Sequence, residues 1–314
     1  MDYALGIDLG GSRVKLATVT PAGEIQEKRS APVDEKSGGP GSWSAAIKDL
    51  VEATQVDMGV PARWIGVAAP GLVARDRASF LSLPDPLTGL EGLNWTEHLG
   101  SERTAPVLND AHAALCGEHW LGAAKGAEHA VLLHLGAEIG GAFVMGGQLM
   151  TGALGRAGAF GHLCLDPQGE PDDAGTPGSL QLALGETTLH TRSGGLFKAN
   201  RSLMKALSDG DEDAKKVWAT MMESLSCALV SLINVLDPEV VILSGALAAA
   251  GDLLLGPLER RMEDLEWRPD DISVRLVQAR LGPHAPAVGA ARHAILNARS
   301  RPESVKSPKV AAKV

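Results

Sequence analysis

The sequence predicts an α/β protein built as two domains, and three observations carry that expectation. At 314 residues the chain exceeds one small core and suits two domains of roughly 100–200 residues each. Short apolar runs alternate with segments of helical periodicity. The pattern that opens the chain, two apolar runs joined by a glycine-rich turn, recurs near its middle.

The elements follow in order. Tyr3 to Leu9 and Arg13 to Thr20 flank Gly10-Gly11-Ser12, which predicts a hairpin because paired glycines accept the positive φ of tight turns. A third strand is expected over Glu24 to Ala31. Ala46, Ile47, Leu50, Val51 and Ala53 recur at helical spacing within Ser42 to Val56, and Trp64 to Ala69 reads as a buried strand. Pro106 to Leu108 is a strand, after which Asn109-Asp110 opens a helix to about Leu121, since both residue types satisfy the free N–H groups of a first turn.

The second half repeats the design. Ala130 to Leu135 and Ile139 to Met145 are strands with a turn at Gly146-Gly147. A helix runs from about Asp211 to Leu236, with Val217, Met221, Leu225, Leu229 and Ile233 forming a core-facing stripe and Asp237-Pro238 ending it. Glu239 to Leu243 is a buried strand, Leu247 to Met262 a helix, Ile272 to Val277 a strand, and Ala285 to Asn297 the last helix. The expected division is a first lobe over 1–110, joined by the terminal helix at about 285–298, a second, larger lobe over 111–284, and a disordered tail over 300–314.

Composition excludes several classes. With 45% hydrophobic residues the chain is too apolar for a disordered segment. A net charge of −9 opposes broad contact with nucleic acid. No helix-turn-helix pattern precedes Asp8, so a DNA-binding repressor is not expected. Neither a leader nor an uninterrupted run of about 18 apolar residues is read, which leads to the expectation of a cytoplasmic protein without a membrane partner. Cys116, Cys164 and Cys227 are odd in number and far apart, and are read as reduced, mostly buried thiols.

Asp8-Leu9-Gly10-Gly11-Ser12-Arg13 sets a carboxylate at a strand end beside N–H groups that glycine leaves unshielded, a way to hold a phosphate and its metal. Alone, it equally fits an ordinary hairpin. Its context decides, because the chain resembles the ROK family of sugar kinases and repressors from end to end. Asp8 to Arg13 matches that family's first phosphate motif, Asp-x-Gly-Gly-Thr-Lys. Gly66-Val67-Ala68-Ala69-Pro70-Gly71 is similar to its Gly-x-x-x-Pro-Gly loop. Asn109-Asp110-Ala111-His112-Ala113-Ala114 is similar to its Asn-Asp-Ala-Asn-Ala-Ala helix start. Leu135 to Gly141 falls on the second phosphate motif, Gly152 to His162 on the sugar-contacting loop, and Glu239 to Gly251 on the adenosine-binding turn.

The resemblance implies the two-lobed actin-like ATPase (ribonuclease H-like) fold, each lobe a five-stranded mixed sheet flanked by helices, with nucleotide and sugar meeting in a cleft. It implies Asp110 as the general base, and Gly71, Asp85, Asn109 and His162 as sugar contacts. Asp8, Gly10, Gly11, Ser12, Arg13, Gly136, Ala137, Gly140 and Gly245 are implied to approach ATP, with Asp8 organising Mg²⁺ through its water shell. A homodimer is implied too.

The chain also departs from the family. Its sugar loop reads Ala159-Phe160-Gly161-His162 where relatives have Glu-x-Gly-His. Ala137 and Glu138 replace the Thr-Gly of the second phosphate motif, removing a hydroxyl and adding a charge. The family's cysteine-rich zinc knuckle aligns with Asp172 to Gln181, which holds no cysteine, so no zinc is expected. Two readings follow: an ATP-dependent kinase of a sugar or polyol, and a catalytically silent relative that binds a sugar or nucleotide as a sensor.

Overall fold

The computed structural model describes residues 2–10, 13–33 and 39–300. They fall into two compact units, one running to Leu108 and resuming at Ala290, the other spanning Asn109–Gly289.

The first unit begins with β1 (Ala4–Gly10), β2 (Arg13–Val19) and β3 (Ile25–Pro32), followed by α1 (Gly39–Met58) and β4 (Trp64–Ala69). A small two-stranded sheet, β5 (Leu72–Val73) and β6 (Phe80–Ser82), precedes α2 (Trp95–His98) and β7 (Val107–Asn109). The main sheet runs β3-β2-β1-β4-β7. β1 lies at its centre, buried on both faces, whereas β3 alternates half-buried and exposed residues as an edge strand should. α1 covers the sheet with Trp43, Ile47 and Val51, spaced one turn apart and buried. Trp95 packs edge-on to Phe80 in the same core.

The second unit contains α3 (Asp110–Leu121), β8 (Ala130–Leu135), β9 (Ile139–Met145) and β10 (Gln148–Leu149). Next come α4 (Leu180–Leu184), α5 (Glu186–Arg192), α6 (Asn200–Ser208) and α7 (Glu212–Leu236). It closes with β11 (Val240–Ser244), α8 (Asp252–Leu265), β12 (Arg275–Gln278) and the start of α9 (Ala285–Ser300). Its sheet order, β10-β9-β8-β11-β12, repeats that of the first unit: an antiparallel meander whose first strand is flanked on its other side by a parallel fourth strand. This paired five-stranded design is the actin-like ATPase topology expected above.

α7 has the length and hydropathy of a membrane span, but Met221, Leu225, Leu229 and Ile233 lie in the core of this unit. It ends where Asp237, ahead of Pro238, turns left-handed at φ 44°. Glycine brings α9 close to its neighbours: a side chain at Gly289 would overlap the Ala113 carbonyl, and one at Gly66 would overlap that of Ala290.

Several expectations need correction. Leu247 to Met262 is not one helix, because Gly251 at φ 57° separates a 3₁₀ turn, Leu247–Ala250, from α8. The strand expected at Ile272 begins at Arg275, and Ile272 itself is exposed. The cysteines are not mostly buried: Cys164 and Cys227 are exposed and Cys116 is half-buried. Cys227 sits between buried Ser226 and Ala228 on the outward side of α7. The tail expected over 300–314 lies, from residue 301 on, outside the described residues, as do Gly11 and Ser12 of the first phosphate motif.

Candidate active site

In the first unit the β1–β2 register sets Asp8 directly opposite Lys15. Lys15 Nζ donates to Asp8 Oδ2 at 2.9 Å, and the Asp8 side chain is only 4% exposed. A Cβ at Gly10 would lie 3.1 Å from the same ammonium, so the glycine lets Lys15 cross the end of β1. Arg13, the expected nucleotide contact, is exposed and turned to β3, where Nε donates to Ser30 Oγ at 2.8 Å. A carboxylate held by an ammonium in this way suits a metal approached through water better than one bound directly. The sequence pattern suggests a three-residue turn, which hides Lys15; with residues 11 and 12 alone between Gly10 and Arg13, the register gives the pair.

Gly71 has φ 116°, and a side chain there would overlap the Ser82 carbonyl, so the Pro70-Gly71 bend is fixed by β6. Three residues beyond Ser82, Asp85 accepts from Thr88 Oγ1 at 2.6 Å.

In the second unit Asn109 is the N-cap of α3: its Oδ1 accepts from Ala111 N at 2.9 Å and from His112 N at 3.3 Å. The side-chain oxygen expected to meet a sugar is therefore committed to the helix. Asp110, half-buried, is the first helical residue, and its Oδ1 accepts from Ala111 N. It stands at the N-terminal end of α3. His112 is buried, and its Nε2–H donates to the Ala157 carbonyl at 2.6 Å, tying the sugar loop to α3. Burial pushes its imidazole below the usual range, with the Ala157 bond opposing. A neutral ring with its proton on Nε2 fits that contact.

The second phosphate motif is the turn between β8 and β9. Gly245, at φ 90°, presses on it so closely that a Cβ would sit 2.5 Å from the Leu135 carbonyl oxygen. The first N–H groups of α5 donate to the carbonyls of Gly136 and Ala137, at 3.2 and 3.4 Å. Gln181 Oε1 accepts from Ile139 N at 2.6 Å. Glu138 is exposed. A Cβ at Gly140 would reach the Ala111 methyl at 4.0 Å, so this motif lies beside the first turn that carries Asp110.

The sugar loop packs onto the same strand. Side chains at Gly158 and Gly161 would overlap the carbonyls of Gly141 and Ile139, and Phe160 stacks on Phe143 with centroids 6.3 Å apart. His162 ends the 3₁₀ turn Phe160–His162 with its ring half exposed, and its Nδ1 lies 2.8 Å from Asp172 Oδ2. The segment aligned with the zinc knuckle does not offer a zinc donor set. It holds no thiolate, and Asp172 Oδ1 is spent on Ala174 N and Thr176 N, at 3.0 and 2.9 Å. Asp172, Gln181 and His112 were passed over because each lies in a family motif as a substitution.

The family model for the ROK family matches residues 4–296. A glucokinase of Thermotoga maritima is 28% identical over 280 residues, covering 83% of this chain and 87% of that protein. An N-acetylmannosamine kinase of Escherichia coli is 27% identical over 252 residues, covering 78% and 84%. Among solved structures, a ROK hexokinase from Thermus thermophilus superposes with a TM-score of 0.80 at 28% identity, over 95% of this chain and all of that one.

Proposed function

Since the chain belongs to the ROK family, we propose that it is a cytoplasmic sugar kinase that transfers the γ-phosphoryl group of ATP in line to a hydroxyl of a hexose, amino sugar or related polyol. The observation that carries this reading is the placement of Asp110 in the first turn of α3, beside the glycine turn between β8 and β9, where a Cβ at Gly140 would reach the Ala111 methyl at 4.0 Å.

Phosphoryl transfer needs little covalent help from a protein; it needs positioning, charge neutralisation and a proton acceptor. Asp110 accepts the proton of the attacking hydroxyl, a role worth about 10²–10⁴ in rate. Asp8, paired with Lys15, would hold the metal through its water shell, and backbone N–H groups of the turn from Gly136 to Gly140, other than that of Ile139, would face the phosphates. Mg²⁺, when bound, supplies the charge that balances the β- and γ-phosphates. Relatives named for glucose and N-acetylmannosamine phosphorylation support the substrate class.

The test is a thermal shift with Mg·ATP followed by turnover on hexoses, N-acetylated amino sugars and polyols. Saturation at about 100 times Kd stabilises by ~2.7 kcal/mol, a rise of about 5–10 °C for a unit of this size. A folded protein that ignores nucleotide refutes the kinase. A second reading, a binding protein without turnover, is favoured by Ala159 in place of the sugar-gripping glutamate and by Glu138 in the phosphate motif. It predicts sugar-dependent stabilisation with no ADP formed.

A further inference from the structure

Asp172 gathers hydrogen bonds from its own loop and also pairs with His162. Its side chain is 2% exposed. Its backbone N–H donates to Thr176 O at 2.9 Å, and its carbonyl accepts from Gly175 N at 2.8 Å. Oδ1 takes the N–H groups of Ala174 and Thr176, leaving Oδ2 for His162 Nδ1 at 2.8 Å. Around this hub the two arms of the segment pair: Leu165 N with Gly178 O, and Leu180 N with Leu163 O, both at 2.9 Å.

The ends of the segment are anchored as well. Gly161 lies against the Ile139 carbonyl, and Gln181 takes the Ile139 N–H, so the loop closes on the first residue of β9. Burial acts to raise the Asp172 carboxyl, but the bonds from His162, Thr176, Ser179 and Ala174 outweigh it and bring it to about 2. The group is then an anion at any working pH, with Oδ2 facing the imidazole.

The geometry points to Asp172 as the positioning residue for His162: it fixes the ring orientation and the Nδ1–H tautomer, so that Nε2 is the atom offered to substrate, without a metal. A carboxylate can only accept, so the facing Nδ1 carries the proton and has no lone pair there for a metal ion. The orienting of a histidine through its other nitrogen is a general device; here the carboxylate lies within the loop that the histidine begins. The part of this inference that concerns substrate rests on the kinase reading above; the tautomer does not.

The experiment is ¹⁵N NMR of the His162 ring in wild type and in Asp172→Asn, with zinc measured on the same samples. It is joined by sugar KM and kcat for Asp172→Asn, His162→Gln and the double variant. The expected result is the Nδ1–H tautomer in wild type, its loss in Asp172→Asn, and no stoichiometric zinc. Sugar KM should rise about tenfold with kcat within about twofold, in line with the loss of one hydrogen bond, and the double variant should be no worse than His162→Gln alone. An Nε2–H ring in wild type, zinc bound through His162, or effects that multiply in the double variant would overturn it. If Asp172→Asn fails to fold, the wild-type spectrum still decides. If no sugar is turned over, the kinase reading fails while the spectrum continues to report on the positioning.

Discussion

Glu118 is fully buried on α3, two turns beyond Asp110. Its Oε2 accepts from Ala123 N at 2.7 Å and Arg280 N at 3.1 Å, and its Oε1 from Leu281 N at 2.8 Å. One carboxylate thus ties the end of α3 to the segment that leads into α9. In Glu118→Gln an NH₂ must face one of these N–H groups. The better flip keeps the oxygen on Ala123 and Arg280 and sets the amide against Leu281. One hydrogen bond to a charged group is lost and one N–H is left without an acceptor, a cost of about 1.5–3 kcal/mol. For a unit of roughly 180 residues each kcal/mol lowers Tm by about 2–4 °C, so calorimetry should show a fall of about 3–12 °C. Glu118→Leu, which abandons all three donors, should fall further. A Glu118→Gln Tm within 1 °C of wild type would show that the carboxylate does not hold this junction.

Two further outcomes follow from the same geometry. The folded-state carboxyl of Asp172 lies near 2, below its ordinary value of 3.8, so its contribution to stability is complete above pH ~4 and is lost as pH falls through about 2. Asp172→Asn should therefore be less stable at neutral pH yet flatten that part of the acid limb in a Tm–pH series, and a variant whose acid limb parallels wild type would contradict the assignment. Gly245→Ala forces a side chain into a left-handed conformation 2.5 Å from the Leu135 carbonyl. Backbone strain of this kind costs about 1–3 kcal/mol, and the displaced phosphate turn should weaken Mg·ATP-dependent stabilisation more than sugar-dependent stabilisation, as read by thermal shift.

Much of the scaffold was legible because its strands are continuous apolar runs bounded by glycine. Trp64–Ala69, Ala130–Leu135 and Ile139–Met145 begin and end where the pattern places them. α7 was equally clear, since Asp211 caps it through Ala214 N and Asp237 ends it. The break inside 247–262 was not legible: one glycine in an alanine- and leucine-rich run is compatible with a continuing helix, and only its φ of 57° decides. The two-residue strands β5 and β10 carry too few residues to show an alternation.

For the candidate site, motif spacing singles out Asp8, Asp110 and the two glycine turns, but it cannot assign partners that depend on register or tertiary contact. Lys15 faces Asp8 only through the hairpin register. His112 reaches Ala157 across 45 residues. Asp172 read as a lost cysteine, because a pattern records which donor is missing and says nothing about the hydrogen bonds its replacement makes.

The central claim, that Asp110 is the base of a sugar kinase, is tested most directly by ADP release from wild type and Asp110→Asn with saturating Mg·ATP across hexoses, N-acetylated amino sugars and polyols. Turnover by wild type on at least one sugar, reduced about 10²- to 10⁴-fold in a variant of unchanged Tm and nucleotide binding, is the predicted result. Equal turnover in both proteins would remove Asp110 from the chemistry, and a folded, nucleotide-binding wild type that turns over none of these sugars would contradict the account.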